Sequence, residues 1–321
     1  MARAAPLALG PPPAGPLKRG LDELAAAAAA HRRVADDPVG ALRRYQHPDD
    51  IEIAAVFASA LAFGRVAAFL PVVEAVLDVA DAHGGPAAWL GGWTPDRAAG
   101  LLPLQHRWVR GDDLRLLAGA LARLRVGGSL GARLAAAWSP TDPDLAPALE
   151  RLILDLRAAA VAESAALGGP ARWAELGRGL RSLLCIPSEG SACKRWWMML
   201  RWMVRGPDGV DLGLWPLPAG GLVIPLDTHV HRISRYLGLT ARGDASFRTA
   251  REITAALRRL RPDDPVAYDF AIAHLGISGT CVGTPTFDQC APCPLRLACA
   301  ASAAPFDGRG DGRGGQRPVT G

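Results

Sequence analysis

Apolar residues along this chain recur at three- and four-residue spacing, and the two-residue alternation of half-buried strands is nearly absent. Stretches of helical length are separated by proline and glycine. The pattern predicts helices over 20–34, 49–63, 66–83, 111–125, 129–138, 144–166, 190–205, 228–237, 246–260 and 266–276. Asp244-Ala245-Ser246 and Asp263-Asp264-Pro265 read as helix starts, and Gly64, Gly206 and Gly238 as helix ends. The expected fold class is therefore all-α. The longest helix-compatible run without a charge, Ile53 to Gly64, spans 12 residues, which suits a buried helix rather than a membrane span. Residues 1–19 and 304–321 show no periodic apolar pattern and are expected to be disordered tails. The expectation is a soluble, cytoplasmic, monomeric protein of 321 residues with no membrane partner.

The helix expected from Gly190 differs from the others. From Lys194 to Arg205 it reads KRWWMMLRWMVR, apolar nearly all round, as a helix buried on most faces would be. Lys194 stands in its first turn, where desolvation and the positive end of the helix dipole would both favour the neutral amine. Composition sharpens this. Lysine and arginine total 36, yet only Lys18 and Lys194 are lysines. A lone lysine in the body of an arginine-rich protein suits a task that guanidinium cannot perform, such as nucleophilic attack by a neutral amine; a leftover surface lysine is the plain alternative. The net charge of +5 is compatible with a polyanionic partner.

Four of the six cysteines, Cys281, Cys290, Cys293 and Cys299, lie within 19 residues in the pattern C-x8-C-x2-C-x5-C. Such spacing lets one loop wrap four thiolates around one centre. Zinc sites usually come as two short-spaced pairs, whereas here three close ligands and one outlying ligand follow a helical run. That favours a [4Fe–4S] cluster, with zinc as the alternative. No N-terminal signal peptide pattern precedes them, and Cys185 and Cys193 stand singly, which argues against a disulfide framework.

Asp227 opens the segment Leu226-Asp227-Thr228-His229-Val230-His231-Arg232-Ile233, where a helix N-cap is its ordinary role. This segment resembles the aspartate signature of the helix-hairpin-helix DNA glycosylases of the endonuclease III type. In that family four cysteines holding a [4Fe–4S] cluster follow about fifty residues on. His274-Leu275-Gly276, before Cys281, is loosely similar to the family's approach to its first ligand. The resemblance covers roughly 185–303. It implies a helical barrel domain (45–224) beside an iron–sulfur cluster domain built from 20–44 and 225–303. It also implies a catalytic lysine, Lys194, a catalytic carboxylate, Asp227, and DNA contacts at Gly190, Ser191, Arg195 and His229. The hairpin departs from the family's glycine-rich form, reading Ile186-Pro187-Ser188-Glu189-Gly190, and Lys194 lies four residues beyond the glycine. The 33-residue Lys194-to-Asp227 separation is similar to that of the archaeal 8-oxoguanine glycosylases.

The implied activity is base excision from damaged double-stranded DNA with a lyase step. A fixed carboxylate would stabilise charge developing on the sugar, and an amine would attack C1′ to form a Schiff base. A flipped base needs a pocket with aromatic and polar walls. Phe63, Trp108, Trp196, Trp197, Trp202 and Trp215 are available, with core packing the expected role of most. Tyr45, Gln46, His47, Arg65, His106 and Asp211 are polar candidates. Two other readings stay open: a non-catalytic iron–sulfur nucleic-acid-binding protein, and a zinc-stabilised helical interaction protein.

Overall fold

The computed structural model describes residues 14–30, 37–282 and 286–303. The tail residues 1–13 and 304–321, and residues 31–34 of the first expected helix, lie outside these. The helices are α1 (Ala14–Ala30), α2 (Pro48–Leu61), α3 (Val66–Asp81), α4 (Pro86–Gly91), α5 (Gly111–Arg125), α6 (Leu130–Ala137) and α7 (Ala146–Ala166). They continue with α8 (Arg178–Leu183), α9 (Lys194–Val204), α10 (Thr228–Tyr236), α11 (Phe247–Leu260), α12 (Asp269–Ile277), α13 (Phe287–Cys290) and α14 (Ala300–Ala303). The fold class is all-α. A two-residue hairpin, β1 (Gln105–His106) with β2 (Val109–Arg110), is the one sheet among the described residues.

The apolar spacing explains the packing. On α7, Leu149, Leu152, Ile153, Leu156 and Ala160 share a buried face, which lies along Leu114, Leu117, Ala118 and Leu121 of α5. Gly119 permits the close crossing, since a Cβ there would meet Glu163 Cγ at 2.5 Å. The helix α2 is buried from Ile51 to Leu61 and packs against α3, α4 and α9. Its Glu52 is buried but fully engaged. It accepts from the backbone N–H groups of Leu130 (2.9 Å) and Gly131 (3.1 Å) at the start of α6, from Trp215 Nε1 (3.0 Å), and from Arg125. One carboxylate thus satisfies a helix start and joins three elements, as a buried charge requires.

Two boundaries and two short helices correct the sequence reading. Residues 14–19, expected in the disordered tail, are helical, because Leu17, Leu21 and Leu24 put one apolar stripe of α1 against the core. The helix expected from Gly190 starts instead at Lys194. Gly190 (φ 84°) and Cys193 (φ 49°) both take left-handed backbone conformations that interrupt helical pairing. The short helices α4 and α8 carry too few turns to show a period in the sequence.

Candidate functional site

The helix α9 runs beside α2 with every residue from Trp196 to Val204 buried, and its first residue, Lys194, points outward. Asp227 caps α10. Its Oδ1 accepts from the backbone N–H groups of His229 and Val230, both at 2.9 Å. Its other oxygen, Oδ2, lies 3.6 Å from Lys194 Nζ, with the two side chains 22% and 33% exposed. Capping therefore fixes the carboxylate and leaves one oxygen facing the amine. The pair lines a hollow with Asp37, Arg201, Pro225, Asp269 and His274.

Beneath the pair, Arg201 is buried between two carboxylates, Asp211 (Nε to Oδ1, 3.1 Å) and Asp269 (Nη1 to Oδ2, 2.5 Å). Asp211, a polar candidate from the sequence, is thus committed to ion pairing with Arg201 and Arg205. Asp269 was not singled out by the sequence, although a lone acid in the apolar run YDFAIAHLGI is a legible signal. Burial, the largest influence, and the nearby Asp227 push its carboxyl up to about 6 against the pull of Arg201. Its Oδ1 is buried without a hydrogen-bond partner.

Gly190 is exposed with open space around its Cα. However, the Ser188 N–H donates to Glu150 Oε2 at 3.0 Å, and Glu189 forms a bidentate pair with Arg157, both contacts at 2.7 Å. The Ser188 amide is therefore engaged by a carboxylate of the protein. Ser191 pairs with Ser246. The Arg195 guanidinium turns inward and donates to the carbonyls of Ala60 (2.9 Å) and Ser182. His229 faces Gly276, its Nδ1 buried and without a partner. Arg195 is thus engaged within the protein, whereas the His229 ring packs against Gly276.

Several remaining candidates make contacts within the protein. His106 Nε2 pairs with the Phe63 carbonyl at 2.8 Å, His47 caps α2, and Tyr45 donates to Asp81 at 2.9 Å. Arg65 precedes α3. Trp196, Trp197, Trp202 and Trp215 are core residues, whereas Trp108 is 40% exposed and stacks on Phe63 with ring centres 5.0 Å apart.

Cys281, Cys290, Cys293 and Cys299 line a single hollow, backed by Ile233 of α10, Leu237 just after it, Leu275 of α12 and Leu295. No group of three or more His, Cys, Asp or Glu side chains among the described residues converges on one ion position. Burial pushes the Cys281, Cys293 and Cys299 thiols up. Arg232 of α10 donates to the Cys281 carbonyl at 2.6 Å. The helix α1 also meets this segment, with Gly20 packed so closely that a Cβ would lie 2.5 Å from the Pro294 carbonyl oxygen. Residues 283–285, within the loop between the first two cysteines, lie outside the described residues.

Residues 37–278 match the family model described as Protein of unknown function (DUF2400). The chain belongs to this family. The matched stretch contains Lys194, Asp227 and Asp269 and stops before the four cysteines. No curated protein and no solved structure matches the chain. Among the described residues no helix is long and apolar enough to cross a membrane.

Proposed function

We propose that this protein is a DNA glycosylase with an associated lyase step, acting on a damaged base in duplex DNA. The observation that carries this reading is the approach of Lys194 Nζ to Asp227 Oδ2, 3.6 Å, in a partly open hollow at two helix starts. One oxygen of Asp227 is held by the backbone of α10, so the free oxygen keeps its position through a reaction. Such a carboxylate stabilises positive charge on a sugar as its base departs. Beside it, the amine attacks C1′ once deprotonated, and the carbon–nitrogen bond to the base breaks. Opening of the sugar ring at the C1′–O4′ bond, with a proton taken up by O4′, then converts the C1′–amine adduct to a Schiff base, which allows strand cleavage by β-elimination. Asp269, behind the pair, adds negative potential to the hollow and holds Arg201 in place.

The four cysteines supply the donor atoms of a thiolate-bound group. They line one hollow with apolar side chains behind them, and thiolates are the donors that iron–sulfur clusters and structural zinc share. Under this reading Cys281, Cys290, Cys293 and Cys299 hold a [4Fe–4S] cluster, zinc being the alternative. The group would cross-link the 281–299 segment and brace α10, the helix that Asp227 caps, through Arg232.

Borohydride trapping with duplexes carrying a damaged base, 8-oxoguanine first, tests the mechanism. Wild type should yield a covalent protein–DNA complex. Lys194→Gln should yield none, and neither should Lys194→Arg, because a guanidinium supplies no neutral amine. Trapping that survives in Lys194→Arg would exclude the lyase assignment.

A further inference from the structure

The segment leading into α9 carries two cysteines that the proposed chemistry does not use. Cys185 follows α8, and Cys193 stands immediately before Lys194. Between them the chain folds back through a tight turn at 187–189 and the left-handed Gly190, which brings the two sulfurs to 3.7 Å. The return is held from inside the loop. The Cys193 N–H donates to Ser191 Oγ at 3.2 Å, and the Cys193 thiol reaches the Cys185 carbonyl at 3.4 Å. Cys193 has φ 49°, a conformation rare for a residue with a side chain, so the backbone turns sharply at the sulfur-bearing position.

The two thiols are not equivalent. Cys193 is buried, while Cys185 is partly exposed. The hydrogen bond shared with Cys193, aided by the Ser191 hydroxyl and the Arg195 charge, holds the Cys185 thiol down to about 6 against the effect of burial. The same shared hydrogen bond, and then burial, push Cys193 up. A partly exposed thiolate beside a buried, protonated thiol is the usual arrangement of an attacking and a resolving cysteine.

We propose that Cys185 and Cys193 form a redox-modification site, a dithiol that a low-molecular-weight disulfide such as oxidised glutathione converts to an intramolecular disulfide. The Cys185 thiolate attacks one glutathione sulfur, forming a mixed disulfide and expelling one glutathione thiolate. That thiolate takes the proton of Cys193. The Cys193 sulfur then attacks the Cys185 sulfur and expels the second glutathione as thiolate. The protein pair loses two electrons and oxidised glutathione gains them. The sulfurs need to close from 3.7 Å to the disulfide distance of about 2 Å, a shift that a nine-residue surface turn can absorb. The product would staple the end of α8 to the start of α9, one residue from Lys194.

The site is tested by mass, independently of any activity on DNA. The full-length protein is incubated with oxidised glutathione, quenched in acid, alkylated under denaturing conditions and digested with trypsin. The peptide Ser182–Lys194 contains Cys185 and Cys193 and no other cysteine. It should be recovered unalkylated and lighter by two hydrogens, and dithiothreitol should restore its alkylation. In Cys193→Ser the peptide should retain one glutathione on Cys185, with no second thiol to displace it. In Cys185→Ser the remaining Cys193 should be recovered alkylated and free of glutathione. A wild-type peptide with both cysteines alkylated, or carrying two glutathiones, overturns the proposal. Recovery of the Cys193→Ser peptide without the adduct does the same. Should either variant fail to fold, the wild-type peptide alone decides.

Discussion

The two oxygens of Asp227 meet different partners, Oδ1 the backbone at the start of α10 and Oδ2 the ammonium of Lys194, so substitutions can separate the two roles. Asp227→Asn retains a capping oxygen and should leave stability within a few tenths of a kcal/mol, while excision slows by orders of magnitude, about 10²-fold or more. Asp227→Ala should in addition lose about 1 kcal/mol of stability for the missing cap. Urea denaturation and single-turnover excision separate these outcomes. Equal excision by wild type and Asp227→Asn would reduce Asp227 to a cap. Asp269 makes a second prediction, in pH. Its carboxyl sits at about 6 in the folded protein against an ordinary 3.8, so between those values the native state binds the extra proton. Its contribution is therefore fully present below about pH 4 and is lost as pH rises through about 6. The stability of wild type relative to Asp269→Asn, followed by urea denaturation, should fall over that window and level off above it.

Helix α10 connects both candidate centres, since its first turn is capped by Asp227 and its inner face backs the cysteine hollow. It depends on a close neighbour. Gly276 of α12 faces the His229 ring, and a Cβ there would lie 2.5 Å from Nδ1. Gly276→Ala should therefore push α12 away from α10 and cost about 1–3 kcal/mol, as overpacking does. Gly20→Ala should act similarly at the other end, where the obstacle is the backbone carbonyl of Pro294 and cannot swing aside. Thermal unfolding measures both costs. A neutral Gly20→Ala would mean that α1 does not hold the cysteine segment.

Taken as a whole, the molecule ties α1, its first described helix, to the segment that carries the cysteines. The helix α1 packs on α12 and on the turn at 296–298, and Tyr268 donates to Asp22 at 2.7 Å. Metal binding and folding should therefore be coupled, since the cysteine segment packs on α1. Protein purified without oxygen should be brown and carry about four irons per chain, as a four-thiolate cubane implies. Cys290→Ser or Cys293→Ser should lose the metal and much of the folded yield, whereas Cys185→Ser should leave metal content unchanged. Iron and zinc analysis checks this; a colourless protein with one zinc would replace the cluster by the alternative. Binding to duplex DNA should weaken steeply with added salt, because arginine contacts to phosphate release counterions. A flat salt dependence would oppose a nucleic-acid partner.

The helical periods of α2, α3, α5, α7 and α11 were legible in the chain to within two residues at each end, because a long apolar stripe encodes both the helix and its buried face. Lys194 and Asp227 were legible as individuals, one by the scarcity of lysine and the other by its place before a helix. The C-x8-C-x2-C-x5-C spacing likewise marked four potential ligands in one segment. Other features depended on contacts across the fold, which no local pattern carries. The oxygen of Asp227 that remains free for Lys194 follows from where α9 and α10 start relative to each other. The start of α9 at Lys194 follows from the left-handed turn at Cys193. The Glu150 carboxylate on the Ser188 amide lies 38 positions away in sequence, and the Arg157 that claims Glu189 lies 32 positions away. Asp269, too, reads as an ordinary acid in a short helix until Arg201 and the hollow surround it. Spacing along a chain reports which residues share a helix face, but only tertiary packing sets which side chains meet between helices.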